Sequence, residues 1–481
     1  MEPQLRRGTL GTGDIAFFVI SAAAPLMILA GVAPYAILVG GIGTPSAYLI
    51  AGLVLTVFAV GFTTMSRYVS NGGAFYAYVR AGLGRPAGVA AAVLALMSYN
   101  AVQIGMYGLL GISAQSTVQS LAGVDIPWYW YALAGVGLVW FAGYRSIQFG
   151  AKLLAALMIA ESGILVLLAV AILLKGGAHG LDLRSYAPAH VFTGATSSLL
   201  VFAFAAFMGF ESTAIYRSEA RDPARTIPRA TYIAVGFLGL FYSFIAWTII
   251  QGFGDAQVQA AAAKDPAGLV FTEMDSYVGH GATDVMHLLI ISSTLASLLA
   301  FHNAINRYTK AIADEGMLPA RLAAVHPRTG APYLAGGLQS VLSLVVVAAF
   351  ALGGLDPYLN LLIWVNTPGV VGLVLLQVLV AVAVPVYFRR IDHTEGRWRT
   401  LVAPVLAALG MATALYLMIT KIALLTGASD TVNVVLVGLV PAMIITGAVL
   451  ALWLRAKRPQ VYARLGAPAP VPAEEARLVR S

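Results

Sequence analysis

From Ile15 to Ser66 the chain carries no charged side chain, yet Pro25 stands inside that stretch, in Ser21-Ala22-Ala23-Ala24-Pro25. A run this long is enough for two membrane-crossing helices of about 20 residues each. A proline within the first of them removes a backbone donor where lipid supplies no substitute partner. A second weak point, Phe204-Ala205-Ala206-Phe207-Met208-Gly209-Phe210, loosens the sixth apolar span. Breaks of this kind survive where they line a polar cavity or a bound solute. Matched breaks in two halves of a chain point to the midplane site of a solute carrier.

Hydrophobic residues fill 59% of the 481 positions and charged residues only 10%, against roughly 25% charge in a soluble domain. No water-soluble core absorbs so much apolar sequence, so the fold class is an all-α polytopic membrane protein. Cysteine is absent, which removes disulfides, thiolate metal sites and cysteine nucleophiles. The polar start with Arg6 and Arg7 leads into an apolar stretch too long for a signal-peptide core, so no cleaved leader is expected.

After the first two spans, others are expected near 86–118, 127–143, 148–174, 190–217, 228–251, 283–310, 331–353, 358–388, 400–426 and 432–455. That makes about twelve helices, and an even number puts both termini on one side. Of the 29 Lys and Arg residues, only Lys175, Arg184, Lys264 and Lys421 fall on the other side, a split of 25 to 4. The positive-inside rule makes the crowded side cytoplasmic, with both termini there, in the plasma membrane. The net charge of +8 is therefore a topology signal and no sign of nucleic acid as a partner.

The expected organisation is a single transmembrane domain over 1–458, followed by a disordered cytoplasmic tail, 459–481, rich in Pro, Ala and Arg. Hydropathy is parallel in two sets of five helices, about 14–174 and about 190–388, each opening on a broken helix. Two extra helices, about 400–455, follow. The longest external connection, 252–283, holds a short helix around Asp265 to Tyr277, placed to act as an outer lid.

Several motifs together resemble the amino acid–polyamine–organocation (APC) superfamily of permeases. They are Ala206-Phe207-Met208-Gly209-Phe210-Glu211-Ser212 with Glu219-Ala220-Arg221-Asp222-Pro223 and Ile227-Pro228-Arg229-Ala230, and Asn71-Gly72-Gly73-Ala74-Phe75-Tyr76 with Gly82-Leu83-Gly84-Arg85. Arg307-Tyr308 and Asp314-Glu315-Gly316-Met317-Leu318-Pro319 match too. The resemblance covers nearly the whole chain. It implies a leucine-transporter-like 5+5 inverted repeat with discontinuous helices one and six, and alternating access. It leaves the substrate open among amino acids, amines and related organic ions. One departure stands out: where many members have a Gly-Ser/Thr-Gly stretch whose amides hold a carboxylate, this chain has Ser21, Ala22, Ala23, Ala24 and Pro25. Helix half-termini still offer positive ends to an anion.

Glu161 lies near the middle of the fifth span. A charged acid at the bilayer centre costs roughly 3 kcal/mol on insertion scales, so it faces the bundle, protonated or paired. One reading is a neutral glutamate tying helices together. The other follows from the resemblance, which sets Glu161 where proton-coupled relatives place a lysine, near a cation site shared with helices one and eight. Ser292 and Ser293 are the expected neighbours in a proton-coupling site, with a sodium site built from those hydroxyls as the alternative. Glu211, just past the second break, matches family glutamates that face the inner pathway and is assigned to gating; a structural hydrogen bond is the competing reading.

On the third span Tyr99, Gln103 and Tyr107 fall four apart, with Asn100 beside them, one polar stripe. Such stripes commonly glue helices together, but family geometry puts this helix against the central cavity, which brings Gln103 and Tyr107 into the substrate site. Phe204 and Gly209 join them from the second break, and Phe207 is the expected aromatic lid. Trp364 and Asn366 are candidates for the outer gate. His302 has no second histidine at metal-binding spacing, so neither a metal nor a cofactor is expected. Gly8-Thr9-Leu10-Gly11-Thr12-Gly13 precedes an apolar span instead of following a strand, so it is no phosphate loop.

An intramembrane enzyme needs a nucleophile with a base or metal ligands, and Glu161 and Glu211 lack such partners. A channel would show a filter or pore-lining rings. The expected function is a secondary active transporter importing a small amino acid or organic amine with protons. A sodium-coupled carrier or an exchanger is the alternative within the fold, and a channel the alternative outside it. The expected partners are a small solute, a coupling ion and the lipid bilayer; the oligomeric state is left open.

Overall fold

Lipid offers no hydrogen bonds, so backbone groups in apolar runs must find partners within the chain; the computed structural model is accordingly helical throughout its regular structure. It describes residues 10–69, 74–145, 151–213 and 220–465. Glu219, the Asn71-Gly72-Gly73 motif, Arg6, Arg7 and the tail beyond Leu465 lie outside the described residues. Among the described residues there is no strand, only an isolated bridge between Leu10 and Ala220.

In chain order the helices are α1 (Thr12–Ala23), α2 (Pro25–Gly31), α3 (Ala33–Gly40), α4 (Thr44–Met65), α5 (Ala74–Leu83), α6 (Arg85–Ala122) and α7 (Trp128–Tyr144). Then come α8 (Ala151–Lys175), α9 (Pro188–Val191), α10 (Thr196–Ala206), α11 (Pro223–Phe253), α12 (Val258–Lys264) and α13 (Leu269–Tyr277). The last are α14 (His280–Asp314), α15 (Tyr333–Leu352), α16 (Ile363–Phe388), α17 (Ala403–Thr420), α18 (Ile422–Thr426), α19 (Asp430–Lys457) and α20 (Pro459–Arg464).

Ten helical stretches among the described residues are long and apolar enough to cross a membrane. The sequence count of about twelve also took in 127–143 and 190–217. The first is α7, only 17 residues long, and the second is cut short where α10 stops at Ala206. The tail differs as well: α20 is helical over residues expected to be disordered.

The 38-residue α6 is the central post, packed against α5, α7, α14, α16 and α19. Opposite it, α4 crosses α11 closely because Gly52 faces Gly239: a Cβ at Gly52 would lie 3.3 Å from the Gly239 Cα. Small residues at such crossings let helix backbones approach where no hydrophobic drive between helices exists. The periphery is apolar: Leu352 is 91% exposed and Leu174 83%. In water such sites would be adhesive patches; in a bilayer they meet lipid.

The expected outer helix is present as α13. Asp265 accepts the Gly268 N–H at 2.9 Å just ahead of it. Its C-terminal end is latched to the bundle: Tyr277 donates to the Gly252 carbonyl at 2.9 Å, and Lys175 donates to the Tyr277 carbonyl at 3.0 Å. On the inner face of α13 Glu273 is buried against Gly252 and neither carboxyl oxygen has a partner. Burial therefore pushes its pKa well above the ordinary carboxyl value. The folded chain then keeps a proton that the unfolded chain has lost, so stability falls as pH rises above the ordinary value of 4.5 toward the raised one. Glu273→Gln removes that loss. Its melting temperature in detergent is expected to exceed that of the parent by about 2 °C or more at pH 8, with a smaller gain at pH 5. An equal gain at both pH values would contradict the burial argument.

Candidate functional site

Two interrupted helices meet at the centre of the bundle. α1 ends at Ala23, Ala24 takes a left-handed backbone (φ 47°, ψ 74°), and Pro25 starts α2. Ala24 is the one non-glycine residue at positive φ among the described residues, a conformation that costs roughly 1–2 kcal/mol for an L-residue. The break strands carbonyls, and neighbouring helices supply donors. Ser297 on α14 donates to the Ala22 carbonyl at 3.0 Å and Tyr242 on α11 to the Ala23 carbonyl at 3.3 Å.

On the other side of the break, the first amides of α2 need acceptors. The Leu26 amide lies beside the Glu161 carboxyl, and Ser293 on α14 donates to Glu161 Oε2 at 2.7 Å. Glu161 is thus buried and joins α8 to both the broken helix and α14. Ser292 does not reach it; its hydroxyl donates to the Leu289 carbonyl at 2.9 Å on its own helix. Of the two serines expected there, only Ser293 faces the carboxyl.

The second break follows α10. Phe207 and Met208 form tight turns, and Gly209 sits at φ 102°, a region that favours glycine. A Cβ at Gly209 would stand 4.0 Å from the Ala22 Cβ, so the two breaks face each other. Glu211 turns back over this break: its carboxyl accepts the Gly209 N–H at 3.0 Å and the Tyr99 hydroxyl at 2.7 Å.

Between the breaks lies a cavity of about 40 Å³. Ala22, Ala23 and Met27 line it from the first break, Ala205, Ala206 and Met208 from the second, and Val102 and Met106 from α6. Ser297, Phe301 and Asn366 complete its polar and aromatic edges. At roughly 10–15 Å³ per water this holds about three or four waters, so a larger solute requires the walls to move. Farther toward α13 a second cavity of about 10 Å³ shares Leu109 with the first. The opposite end, where the basic residues gather, is filled by rings. Phe301 packs on Tyr99 (6.4 Å), Tyr99 on Tyr308 (6.2 Å) and Tyr308 on Tyr76 (5.6 Å). Tyr76 in turn donates to Glu315 at 2.7 Å.

Of the residues expected to touch solute, Ala22 and Ala23 line the cavity, Ala24 and Pro25 shape the break, and Gly209 faces Ala22. The Ser21 hydroxyl is buried with no hydrogen-bond partner. Gln103 and Tyr107 point elsewhere. Gln103 donates to the Leu298 carbonyl at 3.1 Å and accepts from Gln339, while Tyr107 is buried against Gly135 of α7. The polar stripe of α6 is spent on protein partners, and the adjacent apolar stripe, Val102, Met106 and Leu109, faces the cavity. Spacing by four and three makes that stripe visible in the sequence, but nothing there distinguishes it from lipid-facing positions.

Phe204 is buried outside the cavity lining. Phe207 is no lid in this conformation. The turn rotates it into the glycine crossing of α4 and α11, edge-on to Tyr242 at 6.1 Å, and Met208 takes the place at the cavity. Trp364 is likewise held away, donating to the Thr426 carbonyl at 3.1 Å. Two residues from it, Asn366 does line the cavity, with its Oδ1 buried and unpartnered. Among the described residues no cluster of three or more His, Cys, Asp or Glu could hold a metal ion.

The profile of the amino acid permease family matches residues 14–461. An uncharacterized transporter of Mycobacterium tuberculosis is 32% identical over 46% of this chain and 48% of its own length. An Escherichia coli L-methionine/branched-chain amino acid exporter is 29% identical, over 48% and 52%. A Bacillus subtilis branched-chain amino acid permease is 24% identical, over 47% and 45%. The chain spans about half the length of these curated relatives.

The positions of Phe207 and Gln103 give a direct check. Phe207→Ala empties a packed core site and is expected to lower stability by about 3–5 kcal/mol, read by denaturation in mixed micelles. Gln103→Leu strands Gln339 and the Leu298 carbonyl and is expected to cost about 1–3 kcal/mol. Losses under about 1 kcal/mol for both would return these residues to the solute path.

Proposed function

The chain belongs to the amino acid permease family, and from that premise we propose that it imports a small apolar amino acid with protons, by alternating access. The observation that carries this reading is the meeting of two helix breaks at a cavity beside Glu161. Gly209 faces Ala22 there, and Glu161 lies beside the first turn of α2 and accepts from Ser293. The relatives are named transporter, exporter and permease, not enzymes.

The substrate class follows from the lining. Three methionines (Met27, Met106 and Met208) and several aliphatic side chains form adaptable apolar walls. Asn366 is the lining polar group left to meet an amino acid's charged end, with the unpartnered Ser21 hydroxyl, outside the lining, and amides near the first break in support. A sugar would want more hydrogen-bonding side chains. The substrates named for the E. coli and B. subtilis relatives, methionine and branched-chain amino acids, suit such walls.

Proton coupling rests on the direction of the hydrogen bonds. The Ser293 hydroxyl donates to the Glu161 carboxyl and the neighbouring Leu26 amide is a donor too, whereas a sodium ion requires oxygen acceptors. The carbonyls nearest by, Ala22 and Ala23, already accept from Ser297 and Tyr242. Gain and loss of a proton at Glu161 would change how tightly α8 holds α2 and α14, and so shift the inward and outward populations. In this reading Glu211 and Tyr99 gate the cytoplasmic side, and the basic end is cytoplasmic with both termini there. The bundle is a twelve-helix, 5+5 inverted repeat in which α7 and the broken α10 count as spans.

The test is uptake of labelled leucine into proteoliposomes with an imposed pH gradient, with and without sodium. Glu161→Gln mimics the protonated state, so it is expected to keep leucine exchange and lose accumulation against a gradient. Accumulation by Glu161→Gln into an alkaline interior, or wild-type uptake driven by sodium alone, would remove Glu161 from the coupling role. In counterflow, methionine, leucine and isoleucine are expected to displace the label while arginine and putrescine do not; the reverse order would overturn the apolar assignment.

A further inference from the structure

The first residues after α19 lie against the closed, basic end of the bundle. Arg85, the first residue of α6, donates to the Ala463 carbonyl at 2.8 Å, and its guanidinium lies 5.6 Å over the Tyr462 ring. Arg80 on α5 donates to the Leu465 carbonyl. Leu465 is 2% exposed, burial unusual for a segment rich in Ala, Pro and Arg. Val461 rests on Gly316, where a Cβ would approach its Cγ1 to 2.8 Å. Gly316 is at φ 82°, so glycine both permits the turn after α14 and leaves the seat for Val461.

One short segment therefore ties together α5, the start of α6 and the turn after α14. The same three elements close the cavity at this end. Tyr76 belongs to α5, Tyr99 to α6 and Tyr308 to α14, and Glu315, which accepts from Tyr76, adjoins Gly316. At the far end of the ring stack Tyr99 holds Glu211, two residues past Gly209 of the second break. Parting the rings requires α5 and the end of α14 to separate from α6, and the segment spans that seam.

We propose that the segment 459–465 is a strap of this chain that holds the basic-end gate shut, so that its release precedes opening on that side. The strap bonds through backbone carbonyls and seats two aliphatic side chains, contacts that can be undone without unfolding any span. Its action requires neither a particular substrate nor a particular coupling ion, so its test stands apart from that of leucine uptake.

The chain has no cysteine, so Ser212→Cys places a single thiol next to Glu211 on the gated side. In nanodiscs, its rate of modification by a charged maleimide reads gate opening directly. The rate is expected to rise at least threefold when Val461→Asp and Leu465→Asp unseat the strap, and likewise when the chain ends at Arg458. Ser98→Cys, fully buried between α6 and α16, reports unfolding. A rise at position 212 without one at 98, in either the double variant or the shortened chain, supports the strap. No rise at 212, or a parallel rise at 98 in both, overturns it.

Discussion

Everything at the centre of this protein depends on one requirement: a helix broken inside lipid must have its stranded backbone groups satisfied by neighbours. At the first break the carbonyls go to Ser297 and Tyr242, and the Leu26 amide lies beside the Glu161 carboxyl. Each donor or acceptor comes from a different helix, α14, α11 or α8. The break is therefore the joint at which three helices are fastened to the first. A change at any of these side chains is felt at the central cavity, because the cavity wall and the fastening are the same backbone.

The second break is satisfied differently. Gly209 folds its own turn, and the Glu211 carboxyl covers the freed amide while reaching Tyr99. One break is thus bonded outward to a ring of helices, and the other closes largely upon itself and then upon α6. The asymmetry assigns the two sides of the cavity different mechanical characters. The first is clamped, and the second is tethered at Tyr99, where the ring stack toward Tyr76 begins.

The breaks themselves were legible in the sequence, because Pro25 and Gly209 each carry a backbone constraint that no neighbour alters. Glu161 was legible too, since an acid in the middle of an apolar span must face protein. The inner face of α6 was not. Gln103 and Tyr107 look like solute contacts until Gln339, 236 residues away in sequence, is seen to donate to the Gln103 amide oxygen. Phe207 failed for a local reason: once the helix ends at Ala206, helical phase no longer says which way residue 207 points. The segment after Arg458 reads as disordered because its partners, Arg80 and Arg85, lie hundreds of residues earlier. A composition argument contains no information about carbonyl acceptors.

The place of Phe207 has a mechanical meaning. Its ring sits on the spot where α4 and α11 come closest, between Gly52 and Gly239, and the next residue, Met208, forms part of the cavity wall. The ring fixes the unwound strand to the crossing point of two long helices. Any tilt of α4 and α11 about that crossing would displace the cavity wall far less than it displaces the helix ends.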